Sequence, residues 1–143
     1  MLLPDFYEML KRKNTVTSLS QKGVVNLPEF SHLAEEIQAG GVTFSVENER
    51  PYVLKRDGAI VLGTIDRLVL ALKKGKPVAA DILDFKTDRF FGSKKSWTAE
   101  KVQHYGPQLE DYRAAVSQCF KILPEHISRR LLLLETDTVA SAE

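Results

Sequence analysis

The chain is poor in the residues from which many sites and staples are built. Its one cysteine, Cys119, among 143 residues excludes an internal disulfide and a four-cysteine iron–sulfur cluster. The three histidines, His32, His104 and His126, show no metal-ligand spacing. No apolar run approaches the roughly 20 residues of a membrane span. The start Met1-Leu2-Leu3-Pro4-Asp5 lacks the basic region and apolar core of a signal peptide, so the expected location is cytoplasmic, with no membrane partner. An excess of one charge is missing too: 20 Lys and Arg stand against 19 Asp and Glu, a net charge of +1. Any contact with nucleic acid must therefore come from local clusters rather than from a global field. No G-x-x-x-x-G-K-[ST] stretch occurs, which excludes a nucleotide-driven motor of that kind in this chain. There is no internal repeat and no low-complexity tract. What is present, 43% hydrophobic and 27% charged residues, is the composition of one ordinary globular domain with a modest core.

Hydrophobic periodicity divides the chain in two. Residues 1–41 read as a helical segment with two short amphipathic stripes: Leu3, Phe6, Met9 and Leu10, then Phe30, Leu33, Ala34 and Ile37, ended by Gly40-Gly41. Residues 42–143 read as the core. Val42–Val46 and Arg50–Lys55 have strand character, and Arg56-Asp57-Gly58 is a turn into a strand over Ile60–Leu70. Lys73-Lys74-Gly75-Lys76-Pro77 is a polar turn that pairs this strand, as an antiparallel hairpin, with Val78–Thr87. A helix over about Thr98 to Phe120 follows, with Thr98 as a candidate N-cap, and then a last strand over Arg130–Thr136. Cys119 falls on the helical stripe of Leu109, Tyr112, Val116 and Phe120, where a core thiol is expected. The fold class is α/β, more narrowly an α+β arrangement on a mixed sheet, in the order helix, three strands, helix, strand.

Two of these strands carry charge where a core strand should carry none. Strict alternation puts Leu62, Thr64, Asp66, Leu68 and Leu70 on one face of the first, and Val78, Ala80, Ile82, Asp84 and Lys86 on one face of the second. Asp84 and Lys86 then point the same way, roughly 7 Å apart along the strand. The hairpin can set Asp66 beside Asp84, and carboxylates that close repel unless one is protonated or a divalent cation lies between them. An all-oxygen site of this kind suits magnesium or manganese. Arg67 points to the opposite face, which removes it as a salt-bridge partner for Asp66.

These elements resemble the PD-(D/E)XK nuclease superfamily, and more narrowly the RecB-type nuclease domain at the C-terminus of the AddA and RecB helicase-nucleases. The resemblance rests on Gly63-Thr64-Ile65-Asp66-Arg67-Leu68, on Asp84-Phe85-Lys86-Thr87, on Gln108-Leu109-Glu110-Asp111-Tyr112 as a helical Q-x-x-x-Y, and on Glu49-Arg50-Pro51-Tyr52 as an upstream E-x-P-[FY]. It covers about residues 42–136. It implies a restriction-endonuclease-like core and a magnesium-dependent deoxyribonuclease, exonuclease-like, within a recombination and repair machine. It further implies Asp66, Asp84 and the main-chain carbonyl of Phe85 as metal ligands, and Lys86 serving the attacking water and the phosphate. Gln108 and Tyr112 shape the site, Glu49 is a candidate additional acid, and the implied partners are DNA and a helicase domain or subunit.

The loop Asp88 to Trp97 mixes cations and aromatics directly after the acidic pair. Arg89, Lys94, Lys95 and Trp97 are candidate DNA contacts, against the alternative that the aromatics only anchor the loop. The family pattern has a metal-ligand histidine on a helix well upstream of the first aspartate. His32 lies too close to Asp66 in sequence for that role, so the expectation is that the histidine helix precedes Met1 and the chain is a fragment or trimmed variant. A catalytically degenerate nuclease-like fold that binds DNA or a partner subunit is the alternative from a different class. A small metal-dependent enzyme on another substrate is a third.

Overall fold

Two tight turns organise the sheet. In a computed structural model that describes residues 19–142, Asp57 and Gly58 have φ of 48° and 76°, and Lys74 and Gly75 have 51° and 77°. Two successive left-handed residues make the hairpin turn whose twist matches that of the flanking strands, and a glycine in second place removes most of the steric cost. The turns fold β1 (Val42–Arg56), β2 (Ala59–Lys73) and β3 (Lys76–Lys86) into an antiparallel meander. Helix α3 (Lys94–Phe120) crosses back so that β4 (Ile127–Leu133) pairs parallel with β3, and β5 (Thr138–Ser141) closes the far edge antiparallel to β4. The fold is α+β, built on a five-stranded mixed sheet in the order β1-β2-β3-β4-β5.

Each face of the sheet has its own cover. Leu109, Tyr112 and Val116 of α3 pack on Leu68, Leu70, Ala80, Ile82, Ile127 and Leu131. On the back face, Val24 of α1 (Gln21–Val25) and Phe30 and Leu33 of a 3₁₀ helix (Pro28–Leu33) pack on Val42, Val69, Ala71 and Ala79. A short α2 (Ala34–Gln38) adds Ile37 to that layer before Gly40 turns the chain. The stripe of Leu3, Phe6, Met9 and Leu10 lies outside the described residues.

Several sequence expectations shift. β1 runs unbroken through both predicted pieces. The helix starts four residues before the expected cap, at a cap formed by Ser93, whose Oγ accepts from the Ser96 N–H at 3.3 Å. Thr98 is inside the helix. The last predicted strand ends at Leu133 in a 3₁₀ turn (Leu134–Thr136). Cys119 is exposed rather than a core thiol. Leu109, Tyr112, Ala115 and Val116 take the buried stripe, and the next turn overhangs the edge strand, where Gln118 binds the Lys55 backbone through both its amide oxygen and its amide nitrogen.

The most consequential correction concerns alternation in β2. Leu62 is 71% exposed, yet Ile65 and Leu68, three residues apart, both lie under α3. The single-face reading of Leu62, Thr64, Asp66, Leu68 and Leu70 therefore fails at Asp66. Across from Asp66 in the β1–β2 register sits Glu49, the one left-handed residue inside β1, with φ of 53°. A left-handed residue there lets the strand step by one and swap faces while the pairing on either side keeps its register. Val53, Ile60 and Leu62 consequently face away from the helix, all more than half exposed.

Candidate active site

The β2–β3 register runs Leu68↔Ile82, Arg67↔Leu83, so the next position outward sets Asp66 opposite Asp84. Ladder pairing stops there, and the Asp66 side chain takes over: its Oδ2 accepts the Phe85 N–H at 2.8 Å. The step in alternation thus turns Asp66 toward β3 and fixes it against the backbone. Asp84 is buried, 2% exposed, and sits on the α3 face with Ile82. Its Oδ2 is 2.9 Å from Lys86 Nζ, a charge contact without the alignment of a hydrogen bond, and among the described residues this buried oxygen has no hydrogen-bonded partner. Burial, reinforced by the Asp66 carboxyl beside it and opposed by Lys86, pushes the Asp84 carboxyl up to about 7.

Lys86 is held from three sides. Besides Asp84 it donates to Gln108 Oε1 at 3.0 Å, and its Nζ lies 4.3 Å from the centre of the Tyr105 ring. Tyr112 is buried on the same helix stripe, one turn beyond Gln108. Burial and the neighbouring Asp84 carboxylate raise its phenol well above the usual range, so it stays a neutral donor. Its ring meets Tyr52 edge-on at 5.3 Å. Tyr52 in turn lies over Gly63, where a Cβ would come 2.4 Å from a ring carbon. The glycine of the Gly63–Leu68 segment is therefore a packing requirement: it lets the tyrosine of Glu49-Arg50-Pro51-Tyr52 reach the helix.

The remaining candidates divide. Arg89, Lys94 and Lys95 are exposed around the loop that leaves β3. Trp97, a candidate DNA contact, is 5% exposed: its Nε1–H donates to the Arg89 carbonyl at 3.1 Å and its ring meets Phe90 edge-on. It anchors the loop, whereas Phe91 is 67% exposed with the Arg89 guanidinium 5.7 Å from its ring centre. Glu49 faces solvent, and its left-handed backbone takes its side chain out of the alternation that would aim it at Asp66. His32 stacks on His126 with ring centroids 3.7 Å apart, in a groove shared with Lys73 and Pro77 at the other end of β2 and β3. Arg67 is on the back face, where it donates to the Leu19 carbonyl at 2.6 Å.

Three site residues escaped the sequence reading. Asp88 Oδ2 accepts from the Tyr105 hydroxyl at 2.7 Å and pairs with Lys101 at 3.1 Å. Trp97, Lys101, Tyr105, Gln108 and Tyr112 step along α3 at intervals of four, four, three and four, so they form one helix face. Extending the Gln108–Tyr112 face backward by helical spacing was the signal that would have found Lys101 and Tyr105.

No protein-family model and no curated protein matches the chain. The chemistry of the site therefore has to be argued from its donors. Among the described residues no group of three His, Cys, Asp or Glu converges. A cation here would take two carboxylates, one of them with an unsatisfied buried oxygen, and completion by main-chain oxygen and water. That all-oxygen set fits a hard divalent ion. The Phe85 carbonyl projects to the same strand edge as its N–H, which is the Asp66 side, so it is placed to contribute.

Proposed function

We propose that this chain is a metal-dependent deoxyribonuclease domain with a restriction-endonuclease-like core, working beside a helicase domain or subunit in recombination and repair. The observation that carries the proposal is the buried Asp84, pressed against a second carboxylate and, among the described residues, balanced by Lys86. Such an arrangement costs stability, and a structural core has no reason to keep it.

Asp66, Asp84 and the Phe85 carbonyl are the residues that would hold magnesium or manganese. A cation so held supplies positive charge against a phosphate oxygen and acidifies a bound water. The chain's own groups do the rest. Lys86, fixed by Gln108 and Tyr105, presents its ammonium where negative charge grows on the phosphate as the water oxygen bonds to phosphorus and the bond to the leaving oxygen breaks. Tyr112 and the apolar floor beneath it exclude bulk water from the buried side of Asp84. Arg89, Lys94 and Lys95 neutralise flanking phosphates, which explains how a chain with almost no net charge can hold DNA.

Incubation of labelled DNA with the protein and magnesium tests the reading. Cleavage that is lost with chelator and lost in Lys86→Ala supports it. DNA binding without cleavage, unchanged by metal, identifies instead a nuclease-like fold that has lost its chemistry.

A further inference from the structure

The Lys86 ammonium depends on groups that the proposed chemistry does not itself use. Its contact with Asp84 is a charge contact at 2.9 Å to a carboxylate that has other work, and Gln108 is an exposed side chain. The Tyr105 ring is different. It is partly buried against the core under α3, its face lies 4.3 Å from Lys86 Nζ, and its hydroxyl is tied down by Asp88 at 2.7 Å. Asp88 is itself held by Lys101, one turn before Tyr105 on the helix. A ring whose far end is hydrogen-bonded cannot swing about its side-chain torsions, so its negative face stays aimed at one point in space. That point is where Lys86 sits.

We infer that Tyr105, locked by Asp88 and Lys101, is a positioning residue for Lys86. The inference rests on the nuclease reading for its consequence in catalysis, but not for the contact itself. A cation over an aromatic face is attracted without being hydrogen-bonded, so the ring fixes the ammonium's position while leaving its N–H groups available to oxygen. Asp84 can then exchange Lys86 for another cationic partner and the ammonium remains in place. Asp88 has a second effect: its carboxylate is satisfied by Tyr105 and Lys101 rather than by Lys86. Burial raises the Asp88 carboxyl, but the hydrogen bonds from Tyr105 and Lys101, with the charges of Lys101 and Lys86, together hold it below its ordinary value. It therefore orients the lysine's support without capturing the lysine.

Two readouts test this, one of which needs no cleavage. In NMR spectra the Lys86 side-chain resonances, assigned by their loss in Lys86→Ala, are expected upfield of the other lysines because the ring current shields them. Tyr105→Phe keeps the ring but gives up the hydroxyl that Asp88 holds, and is expected to retain only part of the shift, with kcat lowered about threefold from the parent chain. Tyr105→Leu is expected to lose the shift and to lower kcat at least about tenfold, or about 1.4 kcal/mol, with KM changed less than about twofold, because misplacement acts on the transition state rather than on DNA binding. Asp88→Ala removes the same hydrogen bond from its other end and is expected to resemble Tyr105→Phe, between the parent and Tyr105→Leu, so it replaces Tyr105→Leu should that variant fail to fold. A Lys86 shift that is unmoved in both Tyr105→Leu and Asp88→Ala overturns the inference. So does a lost shift with unchanged kcat, or Tyr105→Phe as impaired as Tyr105→Leu. Absence of cleavage in the parent chain would count against the nuclease reading, and the NMR shift would still decide whether the ring holds the lysine.

Discussion

Asp81 and Asp84 are three residues apart on β3, both inside the protein at 0% and 2% exposure, and on opposite faces of the sheet. Asp81 has everything a buried carboxylate needs. Arg130 donates to it through Nε at 2.9 Å and through a terminal nitrogen at 2.6 Å, and Ser128 adds a third bond at 2.7 Å. Asp84 has the opposite surroundings: a second carboxylate alongside, one lysine, and a buried oxygen with no hydrogen bond among the described residues. The same residue type on the same strand is thus a finished ion pair on one face and an unfinished one on the other. Breaking a complete buried pair is costly, and the incomplete one is the site at which we propose that a cation binds.

The contrast is broken most sharply by exchanging the roles. Lys86→Ala should lower DNA cleavage by about a hundredfold to a thousandfold, the range seen when a preorganised charge stabiliser is removed, and should also lower the melting temperature above pH 7, because the buried Asp84 loses its paired ammonium. Cleavage at the parent rate would remove Lys86 from the chemistry. Asp81→Asn should act on stability instead, costing about 3–5 kcal/mol by removing the buried carboxylate charge that accepts from Arg130 and Ser128. Chemical denaturation reads that loss, and a midpoint unchanged from the parent chain would show that Asp81 is not the keystone of the back face.

Replacing Asp84 should stabilise. With metal removed by chelator, its folded carboxyl holds its proton up to about pH 7, whereas an unfolded aspartate releases it near the ordinary value of 3.8. Stability contributed by this group is complete below the unfolded value and is lost as pH rises to about 7. Asp84→Asn escapes that loss. It should therefore melt higher than the parent at pH 8, by a difference on the order of a few kcal/mol, and the two should converge below about pH 4. A constant difference across that range would mean that Asp84 is not the group under strain.

Much of this site is legible in the residues, and what is not has physical causes. Gly75 in its polar turn announces the hairpin, but counting from the turn pairs Lys73↔Lys76 and Leu72↔Pro77 would set Asp66 opposite Leu83; a bulge between Ala71 and Leu72 shifts the register by one and brings Asp66 opposite Asp84. Nor is the face exchange at Asp66 legible, because it depends on a left-handed glutamate, a residue type with no special preference for that conformation. Asp81 and Arg130 find each other between strands 49 residues apart in sequence, and no local pattern announces such a pair. Cys119 fits the helical stripe but lies where the helix has run past its sheet, a matter of how far the strands extend. Phe91 in the loop and Trp97 in the first turn of α3 are six residues apart in one aromatic stretch, and only packing decides which is anchor and which is exposed.

The smallest expected effect is also the most direct test that Asp84 is unfinished by design. Manganese titrated into the parent chain at pH 7.5, followed by its paramagnetic enhancement of water relaxation, should show one bound ion. Asp84→Asn should lose most of that binding, and Asp81→Glu, on the completed side of the sheet, should retain it. Equal binding by the parent and Asp84→Asn, or none by the parent at millimolar metal, would contradict the account.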